Sequence, residues 1–138
     1  MIIGYAYVVA DLFHVGHLIH LQNCKRMCDI LFVGVLTDEA TMEKKSEPII
    51  PFYERMHVVS ALRCVDVAVA QETYSPESNV DCVKPDILFE SDSHPDPHVN
   101  PYGRTIGMPY YPEQSSTKIK EKVLEDGYEE RKSPSIYR

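Results

Sequence analysis

No stretch of about 18 consecutive apolar residues occurs in this chain, so nothing in it reads as a membrane-spanning helix. Met1 to Tyr7 have neither the basic start nor the long apolar run of a signal peptide. The four cysteines, Cys24, Cys28, Cys64 and Cys82, lack CxxC spacing and the density of a small secreted scaffold. They read as reduced thiols in a cytosol, with Cys24 and Cys28 on one helix face. Positive charge is in deficit: the formal net charge is −7, which argues against a nucleic-acid partner. No GxGxxG follows the first apolar segment, which weakens a dinucleotide-binding reading. No internal repeat is visible.

What is present fits one domain. The 138 residues, 43% hydrophobic and 25% charged, can bury a single core. Residues 1–126 are expected to form that domain, with 127–138 a polar tail. Within an acidic chain, His14, His17, Lys44 and Lys45 gather, and Arg55 and Arg63 follow soon after. Such an island suits a small polyphosphate ligand.

The periodicity alternates between strand and helix. Ile2 to Val9 is short, apolar and β-branched, as in a strand buried on both faces. Leu18, Leu21, Cys24 and Cys28 recur at helical spacing, placing a helix over about Val15 to Met27. Ile30 to Leu36 reads as a second strand, and Thr37-Asp38-Glu39 as a helix start. Phe52, Met56, Val59 and Leu62 make a further helical stripe. Val65 to Ala70 is the expected third strand, Ser75 to Val83 a short helix or turn, and Ile87 to Phe89 the fourth strand. Ser91 to Gly103 is a proline-rich loop, Ile106 to Tyr111 a candidate fifth strand, and Ser115 to Leu124 a polar-capped helix. Alternating strands and helices imply right-handed βαβ crossovers. The expected fold is a single α/β, Rossmann-like, doubly wound domain with a five-stranded, mostly parallel sheet. Ligands of such sheets sit beyond the strands' carboxyl ends.

The sharpest motif is Asp11-Leu12-Phe13-His14-Val15-Gly16-His17, at the junction of the first strand and helix. A helix start offers unpaired N–H groups and a positive dipole end, both suited to phosphate. Two imidazoles can donate to phosphoryl oxygens there, and Gly16 lets a phosphate approach the backbone. The plainer alternatives are a surface HxxH or half a metal site.

This stretch resembles the HxGH nucleotidyltransferase superfamily, particularly its small cytidylyltransferases acting on glycerol 3-phosphate or choline phosphate. Three further segments match in order. Phe52-Tyr53-Glu54-Arg55 with Ala61-Leu62-Arg63-Cys64-Val65-Asp66 is similar to that family's "ER…RxVD" segment. Lys84-Pro85-Asp86-Ile87 leading to Ser91-Asp92 resembles the segment usually ending in Gly-Asp. Ser115-Ser116-Thr117-Lys118-Ile119 resembles the "ISTTKI" signature. The resemblance runs from about Tyr5 to Val123.

The resemblance implies that an acceptor's phosphate oxygen attacks the α-phosphorus of CTP and pyrophosphate leaves. His14 and His17 then stabilise the α-phosphate in the transition state. Lys44 or Lys45 binds phosphates of nucleotide or acceptor, and Arg55 and Arg63 are candidates for bidentate phosphate contacts. Of these, Lys44 and Arg63 go with the catalytic pair, and Lys45 and Arg55 with the acceptor. Val9, Ala10, Asp11, Gly16 and Asp92 are expected at the nucleotide, and Ser115, Ser116 and Thr117 at its β,γ-phosphates. Mg²⁺ accompanies the triphosphate, with Asp11 its nearest protein neighbour. The family also implies a cytoplasmic homodimer. Duller readings stand beside these: Arg55 paired with a nearby acid, solvated lysines, a bare cap at Ser115, and Asp66 shaping a turn.

The chain departs from the family pattern at three places. Val8-Val9-Ala10-Asp11 replaces Gly-Thr/Val-Phe-Asp, Tyr110 to Gln114 replace Arg-Thr-Glu-Gly-Ile, and Ser91-Asp92 replaces Gly-Asp. Arg104 is the candidate substitute for the missing arginine. In the loop Asp92-Ser93-His94-Pro95-Asp96-Pro97-His98, alternate residues share one side if it is extended, making His94 an acceptor-site candidate and the loop a possible metal site. The expected reaction is CMP transfer to a small phosphorylated or phosphonylated alcohol. The alternatives are ATP as donor, or a nucleotide-binding module without catalysis.

Overall fold

The computed structural model describes residues 1–91, 96–109 and 115–125. Five strands form one sheet: β1 (Ile3–Val8), β2 (Ile30–Leu36), β3 (Val67–Gln71), β4 (Ile87–Ser91) and β5 (Arg104–Met108). Between and after them lie α1 (Val15–Arg26), α2 (Asp38–Met42), α3 (Phe52–Ser60), α4 (Glu77–Val83) and α5 (Ser116–Glu125). The spatial order is β3-β2-β1-β4-β5. Among the described residues every ladder is parallel, so the sheet there is wholly rather than mostly parallel. Chain order reverses between β1 and β4, which makes that boundary the switch point where such sheets hold ligands.

Continuous apolar composition makes the central strands, because both faces are covered. On one face α1 and α3 pack Leu21, Cys24 and Val59 against Ala6, Val33, Val35 and Phe89. On the other, α4 packs Val80 against Tyr5 and Leu88. The buried Tyr5 hydroxyl donates to Gln71 Oε1 at 2.6 Å and accepts from Asn79 Nδ2 at 2.9 Å. Gly34 makes room for that pair: a Cβ there would lie 2.0 Å from the Tyr5 hydroxyl oxygen. On the third strand the expectation began two residues early. Val65 and Asp66 form the entering turn instead, with Asp66 N donating to Leu31 O at 3.1 Å. The fifth strand begins at Arg104, two residues before the expected start, while Tyr110 and Tyr111 lie outside the described residues.

Aspartates tie down the amino ends of the strands. Asp29 accepts from Ile2 N at 2.6 Å, Asp86 from Ile3 N at 2.8 Å and Asp66 from Leu31 N at 2.7 Å. Asp66 also pairs with Lys25 at 2.7 Å, which makes it a turn-shaping residue. Among the described residues, no helix is long and apolar enough to cross a membrane. The expected tail, 127–138, lies outside them.

Candidate active site

At the carboxyl end of β1 the chain turns sharply before α1. Ala10 and Leu12 hold left-handed backbone, at φ 62° and 47°. For residues with side chains each such conformation costs about 1–2 kcal/mol. The strained turn delivers His14 to the N-cap of α1, with extended φ and ψ of −140° and 179°.

Two histidines then do what Ser and Glu do in an ordinary capping box. His14 Nδ1 accepts from the Gly16 N–H at 3.0 Å, and His17 Nδ1 accepts from the His14 N–H at 3.1 Å. Their ring centroids are 4.0 Å apart, and Phe13 stacks on His17 at 5.2 Å. A nitrogen that accepts carries no proton, so in both rings the proton sits on Nε2, leaving two N–H donors. Burial, followed by the neighbouring His14, pushes the His17 pKa down to about 4. Burial also lowers that of His14. Near neutral pH both rings are therefore neutral donors.

Asp11 joins three segments. Its carboxylate accepts from Ile49 N at 3.0 Å and Ile50 N at 2.9 Å, which fixes the loop after α2. Lys120, on α5, lies 3.3 Å from Asp11 Oδ2. The Ser116 hydroxyl donates to the Asp11 carbonyl. Burial alone would raise the Asp11 pKa, but the two amides and Lys120 overcome it and hold the carboxyl below its usual value. The partners of this carboxylate are two amides and an ammonium, an arrangement suited to holding a loop rather than to ligating Mg²⁺. Among the described residues no group of three or more His, Cys, Asp or Glu could hold a metal ion.

Several other candidates stand here as well. Val9 and Ala10 form the turn itself, with Ala10 buried, and Gly16 is buried in the first turn of α1. Lys45, exposed in the loop, is close enough for its charge to depress His17 further, whereas Lys44 Nζ lies 5.1 Å over the Tyr74 ring. Ser115 Oγ accepts from Lys118 N at 3.0 Å and so caps α5; Thr117 is exposed on its first turn. Asp92 and His94 lie outside the described residues.

Three arginine assignments are corrected. Arg55 is 1% exposed. Its guanidinium donates to Ile50 O at 2.8 Å, Val9 O at 2.6 Å and Leu36 O at 2.7 Å, and it pairs with Asp38 at 2.7 Å. It braces the ends of β1 and β2 from below and presents no open fork to an acceptor. Arg63 lies in the turn that enters β3, at the amino ends of the strands, opposite the histidines. Arg104 opens β5 beside Ile87, at that same far end. Helix α3 runs back across the sheet, so residues eight apart along it and its turn reach opposite ends.

Sequence reasoning missed Lys120, Asp38 and Glu90. Lys120 follows Ser116 by four, one helical turn, and that spacing was the available signal. Asp38 was read only as a helix start. Glu90 is 2% exposed and accepts from Tyr7 Oη at 3.0 Å and from His98 N at 3.0 Å. His98 Nδ1 lies 2.5 Å from it, beside a cleft of about 550 Å³. Nothing local in the sequence marks that pairing.

A parallel α/β sheet whose switch point is flanked by a histidine-capped first helix and a serine-capped last helix defines a Rossmann-like domain. Comparison with known proteins makes this specific. Residues 9–122 match the profile of the family described as cytidylyltransferase-like, and the chain belongs to that family. It is 34% identical over 129 residues to the bifunctional protein HldE of Syntrophotalea carbinolica, covering 87% of this chain and 26% of that protein. To the HldE of Trichlorobacter lovleyi it is 32% identical over 124 residues, covering 83% and 25%. The chain thus spans about a quarter of these curated relatives. A crystal structure of a lipopolysaccharide core biosynthesis protein from Thermoplasma volcanium superposes with a TM-score of 0.64 at 24% identity. That match covers 92% of this chain and 89% of the other, and it shows the shared fold.

Proposed function

We propose that this nucleotidyltransferase-family domain transfers CMP from CTP to a small phosphorylated or phosphonylated alcohol. The acceptor's phosphate oxygen attacks the α-phosphorus as its bond to the bridging oxygen breaks, and pyrophosphate leaves with that electron pair. The observation that carries the reading is the reciprocal histidine cap. Two neutral imidazoles, each with its proton on Nε2, stand at a helix N-terminus, where charge on a phosphoryl group is stabilised.

His14 and His17 donate to the α-phosphate oxygens as negative charge builds. Lys45 neutralises phosphate charge from the loop, with Lys44 beside it. The Ser115–Thr117 turn at the start of α5 presents first-turn N–H groups and the Thr117 hydroxyl to the β,γ-phosphates, while the Ser116 hydroxyl holds the turn to the Asp11 carbonyl. Mg²⁺ enters as part of the Mg·CTP substrate, coordinated by its phosphate oxygens and water. CTP as the donor is supported by the family's description and by the resemblance of the motifs. The active species is proposed to be a homodimer, which sedimentation at working concentration tests.

His17→Ala tests the chemistry. Turnover should fall by about 100-fold or more while nucleotide affinity changes little, because the donor acts mainly on transition-state charge. Turnover within about threefold of wild type would remove the histidines from the mechanism.

A further inference from the structure

Lys120 has no place in the roles above, yet it stands at their junction. It is four residues beyond Ser116 on α5, so both project from one face of that helix. Ser116 binds the Asp11 carbonyl and Lys120 the Asp11 carboxylate, at 3.3 Å. Asp11 in turn holds the amides of Ile49 and Ile50, in the loop that carries Lys45. Below that loop Arg55 grips the Ile50 carbonyl at 2.8 Å, so the loop's end is fixed from two sides. The Lys120 side chain is 36% exposed and the Asp11 side chain 8%.

A buried carboxylate three residues before the first HxGH histidine is an obstacle to a triphosphate, since like charges a few ångströms apart repel strongly where water is scarce. Two amide dipoles do not cancel a full charge. An ammonium does.

We propose that Lys120 is a positioning residue for the nucleotide that acts through Asp11. It neutralises the carboxylate and keeps it on the two loop amides, so that a polyanion can enter between α1 and α5 under a fixed loop. The proposal rests on the nucleotidyltransferase reading and adds a residue and a mode of action to it.

The test is a double-mutant cycle in Mg·CTP affinity, measured by titration calorimetry on the full chain. Lys120→Met keeps most of the stem and removes the charge, and should weaken binding about 10-fold or more. Lys120→Arg should retain most of the affinity. In an Asp11→Asn background, where there is no charge to neutralise, Lys120→Met should change affinity by less than about threefold. Hydrogen exchange at the Ile49 and Ile50 amides gives a readout without nucleotide, and Lys120→Met should accelerate it selectively.

An equal loss in both backgrounds would mean that Lys120 grips the phosphate directly, and would overturn the proposal. Unchanged affinity and unchanged exchange in Lys120→Met would overturn it as well. If the wild-type chain bound neither Mg·CTP nor Mg·ATP, the nucleotidyltransferase reading would fail first. That outcome differs from a wild type that binds and a variant that binds equally well.

Discussion

Replacing Arg55 separates a brace from a ligand. In Arg55→Met the apolar stem is largely kept, and four polar contacts disappear together. The carbonyls of Val9, Leu36 and Ile50 lose their donor, and Asp38 loses its ion pair. Removing one partner of a buried ion pair leaves an uncompensated charge and costs about 3–5 kcal/mol. The Asp38 side chain is 29% exposed and can partly rehydrate, which pulls the value down. Three orphaned carbonyls pull it up again. A loss of about 4 kcal/mol is a large share of the roughly 5–15 kcal/mol available to a domain, and corresponds to a fall of about 15 °C in Tm. Arg55→Lys should recover only part, because an ammonium cannot serve three diverging carbonyls. Arg63→Ala and Arg104→Ala should stay within about 0.5 kcal/mol of wild type, since Arg63 and Arg104 are exposed. Thermal unfolding followed by circular dichroism measures all four. An Arg55→Met variant melting within about 3 °C of wild type, with a selective rise in acceptor KM, would refute the brace and restore Arg55 to the substrate.

Two further perturbations test other parts of the fold. The folded His17 pKa lies near 4, below the unfolded value of about 6.5, so the unfolded chain takes up this proton first. Stability should therefore fall as pH drops from about 6.5 to 4, by about 2–3 kcal/mol from this residue. Urea titrations across that range should show a flatter limb in His17→Gln; an identical pH dependence would place no such shift on His17. Lys84 closes α4 in left-handed backbone at φ 52°, just before Pro85. Lys84→Gly should raise stability by about 0.5–1 kcal/mol, seen as a Tm higher by a few degrees, and a lower Tm would count against a strained cap.

The fold was legible because its signals are local. Runs such as Ile30–Leu36 declare buried parallel strands by composition, and the stripe of α1 declares its packed face. The histidine motif announced its helix start, although not that the two rings cap the helix reciprocally, because that depends on rotamers rather than spacing. The arginines misled for a topological reason. Arg55 and Arg63 fall in one motif eight residues apart, yet the intervening helix crosses the sheet and carries the second to its far end. Arg104 failed likewise, because it begins a strand whose carboxyl end, not its start, faces the site. Burial of Arg55 beneath the site joins β1, β2 and the loop after α2, pieces up to 46 residues apart, and no window of sequence contains them all.

Transfer of a nucleotidyl group is best followed at the α-phosphorus itself. Wild-type protein with Mg²⁺ and CTP labelled at the α-phosphate would be incubated with a panel of phosphorylated and phosphonylated alcohols, with ATP run in parallel. Label should move from CTP into a cytidylyl-linked product only when one acceptor is present, with pyrophosphate released in equal amount. Label passing only from ATP would keep the reaction and change the nucleotide. Triphosphate bound but unconsumed with every acceptor, from both nucleotides, would contradict the claim and leave a nucleotide-binding module.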